Sequence, residues 1–140
     1  MTTKAMIFDD DDLMLQLLSA FLSANDIAVS ASNCATCKMY EQNATSCPLI
    51  QPKFNIILSD NDMPGKNGID FFEEIEAKDC KLSNKCKALM SGQFTQQTLN
   101  RAEKLGIKTF LKPFSFEALG KWLDNAICYS QNNSLHYPSH

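Results

Sequence analysis

Four consecutive carboxylates, Asp9-Asp10-Asp11-Asp12, follow the apolar run that ends at Phe8 and precede Leu13. At about 4 Å and an effective dielectric near 20, each like-charged pair costs roughly 4 kcal/mol. Carboxylates held that close shift a pKa, point into solvent or bind a cation. Three further groups able to do chemistry also stand just after short apolar runs: Asp60 after Phe54-Asn55-Ile56-Ile57-Leu58-Ser59, Ser91 after Lys87-Ala88-Leu89-Met90, and Lys112 after Ile107-Lys108-Thr109-Phe110-Leu111. Asp9, Asp10 and Asp60 in one crevice would repel strongly unless a hard divalent cation sat among them, and Mg2+ takes carboxylate and carbonyl oxygens while keeping waters. A carboxylate beside such an ion, with a hydroxyl and an ammonium near, is equipped to accept a phosphoryl group.

The runs that carry these groups read as strands, and the segments between them read as helices. Met14, Leu17, Leu18, Phe21 and Leu22 recur at helical spacing after the acidic cluster, and Ile27 to Ser30 forms a weak second strand. Residues 34–42 are predicted to be helical before the loop Ser46 to Pro52. The nearly continuous apolar run 54–59 has the character of a strand buried on both faces of a parallel sheet. The turn Asn61 to Gly68 leads into a helix carrying Ile69, Phe72 and Ile75 on one stripe. Thr95 is a candidate helix cap and Gly106 a candidate helix stop, and a last helix starting near Ser115 presents Phe116, Leu119, Leu123 and Ile127. Five strands alternating with five helices imply a parallel sheet covered on both faces by right-handed crossovers. Ligands of such sheets bind outside the carboxyl ends of the strands, where Asp9, Asp10, Asp60, Ser91 and Lys112 all fall.

In that order and at roughly thirty-residue spacing, Ile7-Phe8-Asp9-Asp10-Asp11, Ile57 to Gly65 with Asn67-Gly68, Met90-Ser91-Gly92 and Phe110-Leu111-Lys112-Pro113-Phe114 resemble the receiver domain of two-component response regulators. The resemblance covers residues 4 to about 128. It implies a flavodoxin-like (βα)5 three-layer sandwich with a five-stranded parallel sheet in the order 2-1-3-4-5. It also implies a receiver domain over residues 1–128; residues 129–140 are polar and read as a frayed C-terminal tail. By position, Asp60 matches the phospho-accepting aspartate, and Asp9 and Asp10 match the acidic pair that holds Mg2+ together with Asp60 and the backbone carbonyl of Asp62. Ser91 matches the hydroxyl that hydrogen-bonds the phosphoryl group, and Lys112 matches the lysine that pairs with it, before a Lys-Pro bond usually cis in this family. The implied protein is a signalling switch rather than an enzyme, one that assists its own phosphorylation and dephosphorylation. Its phosphoryl donor is a histidine kinase or histidine phosphotransfer protein, and the face built from the fourth helix, fifth strand and fifth helix controls an output partner. The resemblance leaves room for a phosphorylation-dependent dimer. The place of the family's switch aromatic falls on Phe110 or Thr109, and Gly92 stands where Ala is more usual, which opens the site.

Composition agrees with this reading. The 140 residues are 44% hydrophobic, enough for one globular core. Thirteen basic against sixteen acidic residues give a net charge of -3, which offers no general attraction for nucleic acid or anionic lipid. No apolar stretch approaches the roughly 18 residues of a membrane span, and the first residues lack the character of a signal peptide, so a cytoplasmic location is expected. Six cysteines have no framework spacing and read as reduced thiols; Cys34-x-x-Cys37 has no second pair to complete a zinc site. Two rival readings exist. Phe8-Asp9-x-Asp11 resembles the nucleophile motif of haloacid-dehalogenase-type phosphatases, but lacks the Gly-Thr expected after the second Asp. A flavodoxin-like flavin carrier would need a Ser/Thr/Gly-rich phosphate loop where four acids stand. Asp11 and Asp12 read as the first turn of a helix, where the dipole favours acids.

Overall fold

The computed structural model describes residues 2–40 and 43–136, with side chains up to residue 132. Five strands, β1 (Thr3–Phe8), β2 (Ile27–Ser32), β3 (Ile56–Asp60), β4 (Lys87–Ser91) and β5 (Lys108–Leu111), form one parallel sheet in the order β2-β1-β3-β4-β5. This is the flavodoxin-like order. Every residue of β3 and β4 is buried, which explains their unbroken apolar character: helices cover both faces of the central strands. The strands end in register, so that Asp60 lies opposite Met90 and Ser91 opposite Leu111.

Among the described residues four α-helices cover the sheet: α1 (Asp12–Ala24), α2 (Gly68–Ala77), α3 (Gln96–Leu105) and α4 (Phe116–His136). The rings of Phe21 and Phe116 stack at 4.8 Å and join α1 to α4. Arg101 on α3 grips Asp70 at 2.6 Å and Glu73 at 2.5 Å on the neighbouring α2. Thr95 caps α3 by accepting from the Thr98 amide, and Gly106 closes it in the left-handed region at φ 80°. On α1, Leu18 and Leu22 are buried, whereas Leu17 lies on the outer edge of the apolar stripe and is 47% exposed.

Two expectations need correction. The helix expected over residues 34–42 does not form in its described part, 34–40; Gln42, with its neighbour Glu41, lies outside the described residues. Its burial shows why: Cys37 and Met39 are buried while Lys38 between them is exposed, a period of two that suits an extended segment. Asn, Thr, Cys and Tyr are poor helix formers, and Pro48 and Pro52 disfavour helix further along. The fold thus keeps the doubly wound sheet but has, among the described residues, four α-helices in place of five, and the expected switch face becomes α3, β5 and α4. The second correction concerns the tail. Helix α4 runs without a break past residue 128 to His136. Its extension is anchored: the Lys85 ammonium stands 4.9 Å over the Tyr129 ring, and Ser130 accepts a hydrogen bond from Asn55 at 3.1 Å. Residues 137–140, including His140, lie outside the described residues.

No helix among the described residues is long and apolar enough to cross a membrane. None of the six cysteines is in a disulfide.

Candidate functional site

The acidic run divides as soon as α1 begins. Asp9 directly follows β1 and is wholly buried, and its Oδ1 accepts from the Asp11 amide at 3.0 Å. Asp11 is the N-cap of α1, its carboxylate accepting from the Leu13 amide at 3.0 Å, and Asp12 occupies the first turn. Neither belongs to the group of carboxylates gathered with Asp60. Asp10 is exposed, yet one carboxylate oxygen each from Asp9, Asp10 and Asp60 lie within 4.8 Å of one another.

Asp60, at the end of β3, is 3% exposed. The chain turns away at once, and Asn61 holds that turn. Its amide donates to the Met90 carbonyl at 2.7 Å, its side-chain oxygen accepts from the Ile69 amide at 3.0 Å, and its carbonyl accepts from the Gly68 amide at 3.1 Å. The start of α2 thereby closes onto the end of β3. A Cβ at Gly68 would lie 2.5 Å from the Asp60 carbonyl oxygen and 2.7 Å from Leu89 Cδ1, so no larger residue fits without moving backbone. Neither role was legible from residue type: Asn61 and Gly68 read only as turn punctuation.

Lys112 follows β5 and precedes a cis Lys112-Pro113 bond. Its ammonium donates to Asp9 Oδ2 at 2.9 Å and lies 3.3 Å from Asp60 Oδ1, an ion pair without the alignment of a hydrogen bond. Asp60 Oδ1 is therefore a buried oxygen with no hydrogen-bond donor. Burial, and then the charge of Asp9, push the Asp60 carboxyl up to about 7, against the pull of Lys112 and the Asp62 amide. Burial opposes the charge on Lys112 as well, but its hydrogen bond to Asp9 and the charges of Asp60 and Asp9 raise its pKa overall.

Ser91, at the end of β4, is fully buried. Its hydroxyl lies 2.7 Å from Asp62 Oδ2 and 2.9 Å from the Gln93 carbonyl, and accepts from the Gln93 amide at 3.1 Å. The fold thus gathers Asp9, Asp10, Asp60, Ser91 and Lys112 at one end of the sheet. It also brings the Asp62 side chain onto Ser91; from the sequence, Asp62 is assigned its backbone carbonyl and, with Gln93, a place flanking positions that in the resembled family influence phosphoryl lifetime. Beside Ser91, a Cβ on Gly92 would meet nothing within 4 Å, so this rim is open.

Three carboxylates face one ammonium here, and one buried carboxylate oxygen lacks a donor. An all-oxygen donor set with excess negative charge fits a hard divalent cation of the Mg2+ type.

Fold and site together define a doubly wound α/β domain with an acidic crevice at its topological switch point, between the paired strands β1 and β3 where the strand order reverses. The chain belongs to the response regulator receiver domain family, which matches residues 5–124. Members of this family are signalling switches of two-component systems, and the buried aspartate cluster is of the kind at which they are phosphorylated. Solved structures share the fold. A response regulator receiver domain protein from Clostridium thermocellum is 20% identical with a TM-score of 0.74, covering 92% of this chain and 97% of its own. A CheY-like receiver domain protein from Methanospirillum hungatei is 16% identical with a TM-score of 0.76, covering 95% and 99%. The signal receiver domain of a putative Luxo repressor protein from Vibrio parahaemolyticus is 13% identical with a TM-score of 0.78, covering 98% of both chains. Comparison with curated proteins finds no match.

Proposed function

We propose that this receiver accepts a phosphoryl group on Asp60. The observation that carries the reading is the buried, donorless Asp60 Oδ1, set between the Lys112 ammonium and the carboxylates of Asp9 and Asp10. A carboxylate oxygen of Asp60 attacks phosphorus, the oxygen–phosphorus bond forms, and the nitrogen–phosphorus bond of a phosphohistidine donor breaks. The donor is a histidine kinase or histidine phosphotransfer protein. Asp9, Asp10, Asp60 and the backbone carbonyl of Asp62 would hold Mg2+, which when bound neutralises charge building on the transferring oxygens. Lys112 pairs with one phosphoryl oxygen, and the Ser91 hydroxyl donates to another.

The output follows from the same contacts. Drawing Ser91 and Lys112 towards Asp60 pulls on the ends of β4 and β5 and biases the α3-β5-α4 face, to which an output partner responds. Phe110 is the aromatic of β5. It is buried, 5.2 Å from Phe114 and 5.9 Å from Trp122, whereas Thr109 is half-buried. Phe110 therefore links β5 to α4 through packed rings. Chemistry that needs no membrane anchor and a donor made by kinases suits a cytoplasmic setting.

The test is covalent labelling with a small phosphoryl donor and Mg2+, mapped by mass spectrometry. Label is expected on Asp60 and lost in Asp60→Ala. Label that survives Asp60→Ala but vanishes in Asp9→Asn would support the Asp9/Asp11 phosphatase reading instead, and flavin bound to the purified protein would support the carrier.

A further inference from the structure

Ser91 has one hydroxyl proton, and two acceptors compete for it in the structure: Asp62 Oδ2 at 2.7 Å and the Gln93 carbonyl at 2.9 Å. Its lone pairs are also used, by the Gln93 amide at 3.1 Å. No hydrogen bond joins Ser91 to Asp60, although the two residues end adjacent strands. Asp62 itself is exposed, and the one side-chain hydrogen bond of its carboxylate among the described residues is the one to Ser91. A carboxylate is the stronger of the two acceptors, since hydrogen bonds to ionised oxygens are shorter and stronger than those to neutral carbonyls.

We propose that the Asp62 carboxylate is an internal competitor for the Ser91 hydroxyl, a latch that must open before Ser91 can donate to a group on Asp60. The inference rests on the reading of Asp60 as the phosphoryl acceptor. Asp62 is a positioning residue in this scheme: it acts through Ser91. Occupation of Asp60 exchanges one anionic acceptor of the Ser91 proton for another, so the affinity of the site for a phosphoryl group is set by the difference between the two. It also leaves the Asp62 carboxylate without its donor. Both consequences lower occupancy, and both require the Ser91 hydroxyl.

Titration with beryllofluoride in the presence of Mg2+, followed by calorimetry on the full chain, separates the routes. Asp62→Ala is expected to tighten binding about threefold to tenfold when Ser91 is present. In a Ser91→Ala background the same change is expected to alter binding less than twofold, and Ser91→Thr, which restores a hydroxyl, is expected to restore the effect. An equal gain in all three backgrounds would overturn the latch, because the Asp62 charge would then act on the crevice directly. Beryllofluoride binding that persists in Asp60→Asn would overturn the assignment of Asp60, and with it the latch. Loss of binding in Asp60→Asn together with a Ser91-dependent Asp62 effect is the result that supports both.

Discussion

Replacing Asp60 by asparagine removes a charge that the metal-free crevice resists. The Asp60 carboxyl is raised from 3.8 to about 7, first by burial and then by Asp9. A carboxyl whose pKa is higher in the folded than in the unfolded chain binds protons more tightly when folded, so stability falls as pH rises. The loss begins near pH 4, where the unfolded chain ionises, and is complete above about pH 7, where the folded one does. A shift of about three units corresponds to roughly 4 kcal/mol at alkaline pH, with about 2–3 kcal/mol of it developing between pH 5 and pH 8. The attraction of Lys112 for the ionised carboxylate is already contained in that value and lowers it no further. In urea denaturation with chelator present, the stability of Asp60→Asn relative to the parent should therefore rise by about 2 kcal/mol from pH 5 to pH 8. Adding Mg2+ at ten times its dissociation constant should stabilise the parent by roughly 1.4 kcal/mol and the variant less. A stability difference that does not change with pH, or equal stabilisation of both proteins by Mg2+, would refute the account of the crevice as an overcharged cation site.

Other outcomes follow from neighbouring residues. Asp10→Asn removes an exposed member of the triad and is expected to weaken Mg2+ binding about tenfold, read by calorimetry; unchanged affinity would remove Asp10 from the site. Gly68→Ala places a methyl group 2.5 Å from the Asp60 carbonyl and is expected to cost about 1–3 kcal/mol in chemical denaturation, with weaker beryllofluoride binding as β3 shifts. Asn61→Ala leaves the Ile69 amide buried without an acceptor and should cost about 1–3 kcal/mol; a loss below about 0.5 kcal/mol would show that water takes the place of Asn61.

Much of the sheet was legible because its signals are local. A strand buried on both faces must be apolar along its length, so residues 54–59 and 87–90 announced β3 and β4. Thr95 and Gly106 announced the ends of α3 because caps act within one turn. The failures were also physical. Residues 34–40 carry scattered apolar side chains that fit a helix or an extended segment, and burial of Cys37 and Met39 against the core selected the second. The polar composition of residues 129–136 suggested a free tail, but Tyr129 and Ser130 find partners on Lys85 and Asn55, distant in sequence.

The site divides in the same way. Residue type and position after strands were enough to single out Asp9, Asp10, Asp60, Ser91 and Lys112, because a parallel sheet delivers every strand end to one edge. The sequence also separated Asp11 and Asp12, whose roles are fulfilled within one helical turn. Only the tertiary structure decided which oxygen of Asp60 lacks a donor, that Lys112 bonds Asp9 in preference to Asp60, that Asn61 and Gly68 close α2 onto β3, and that Asp62 holds Ser91. Those facts depend on distances between residues up to 103 positions apart, set by strand register and side-chain angle. Local pattern carries the choice of residues; the partition of protons and charge among them belongs to the folded crevice.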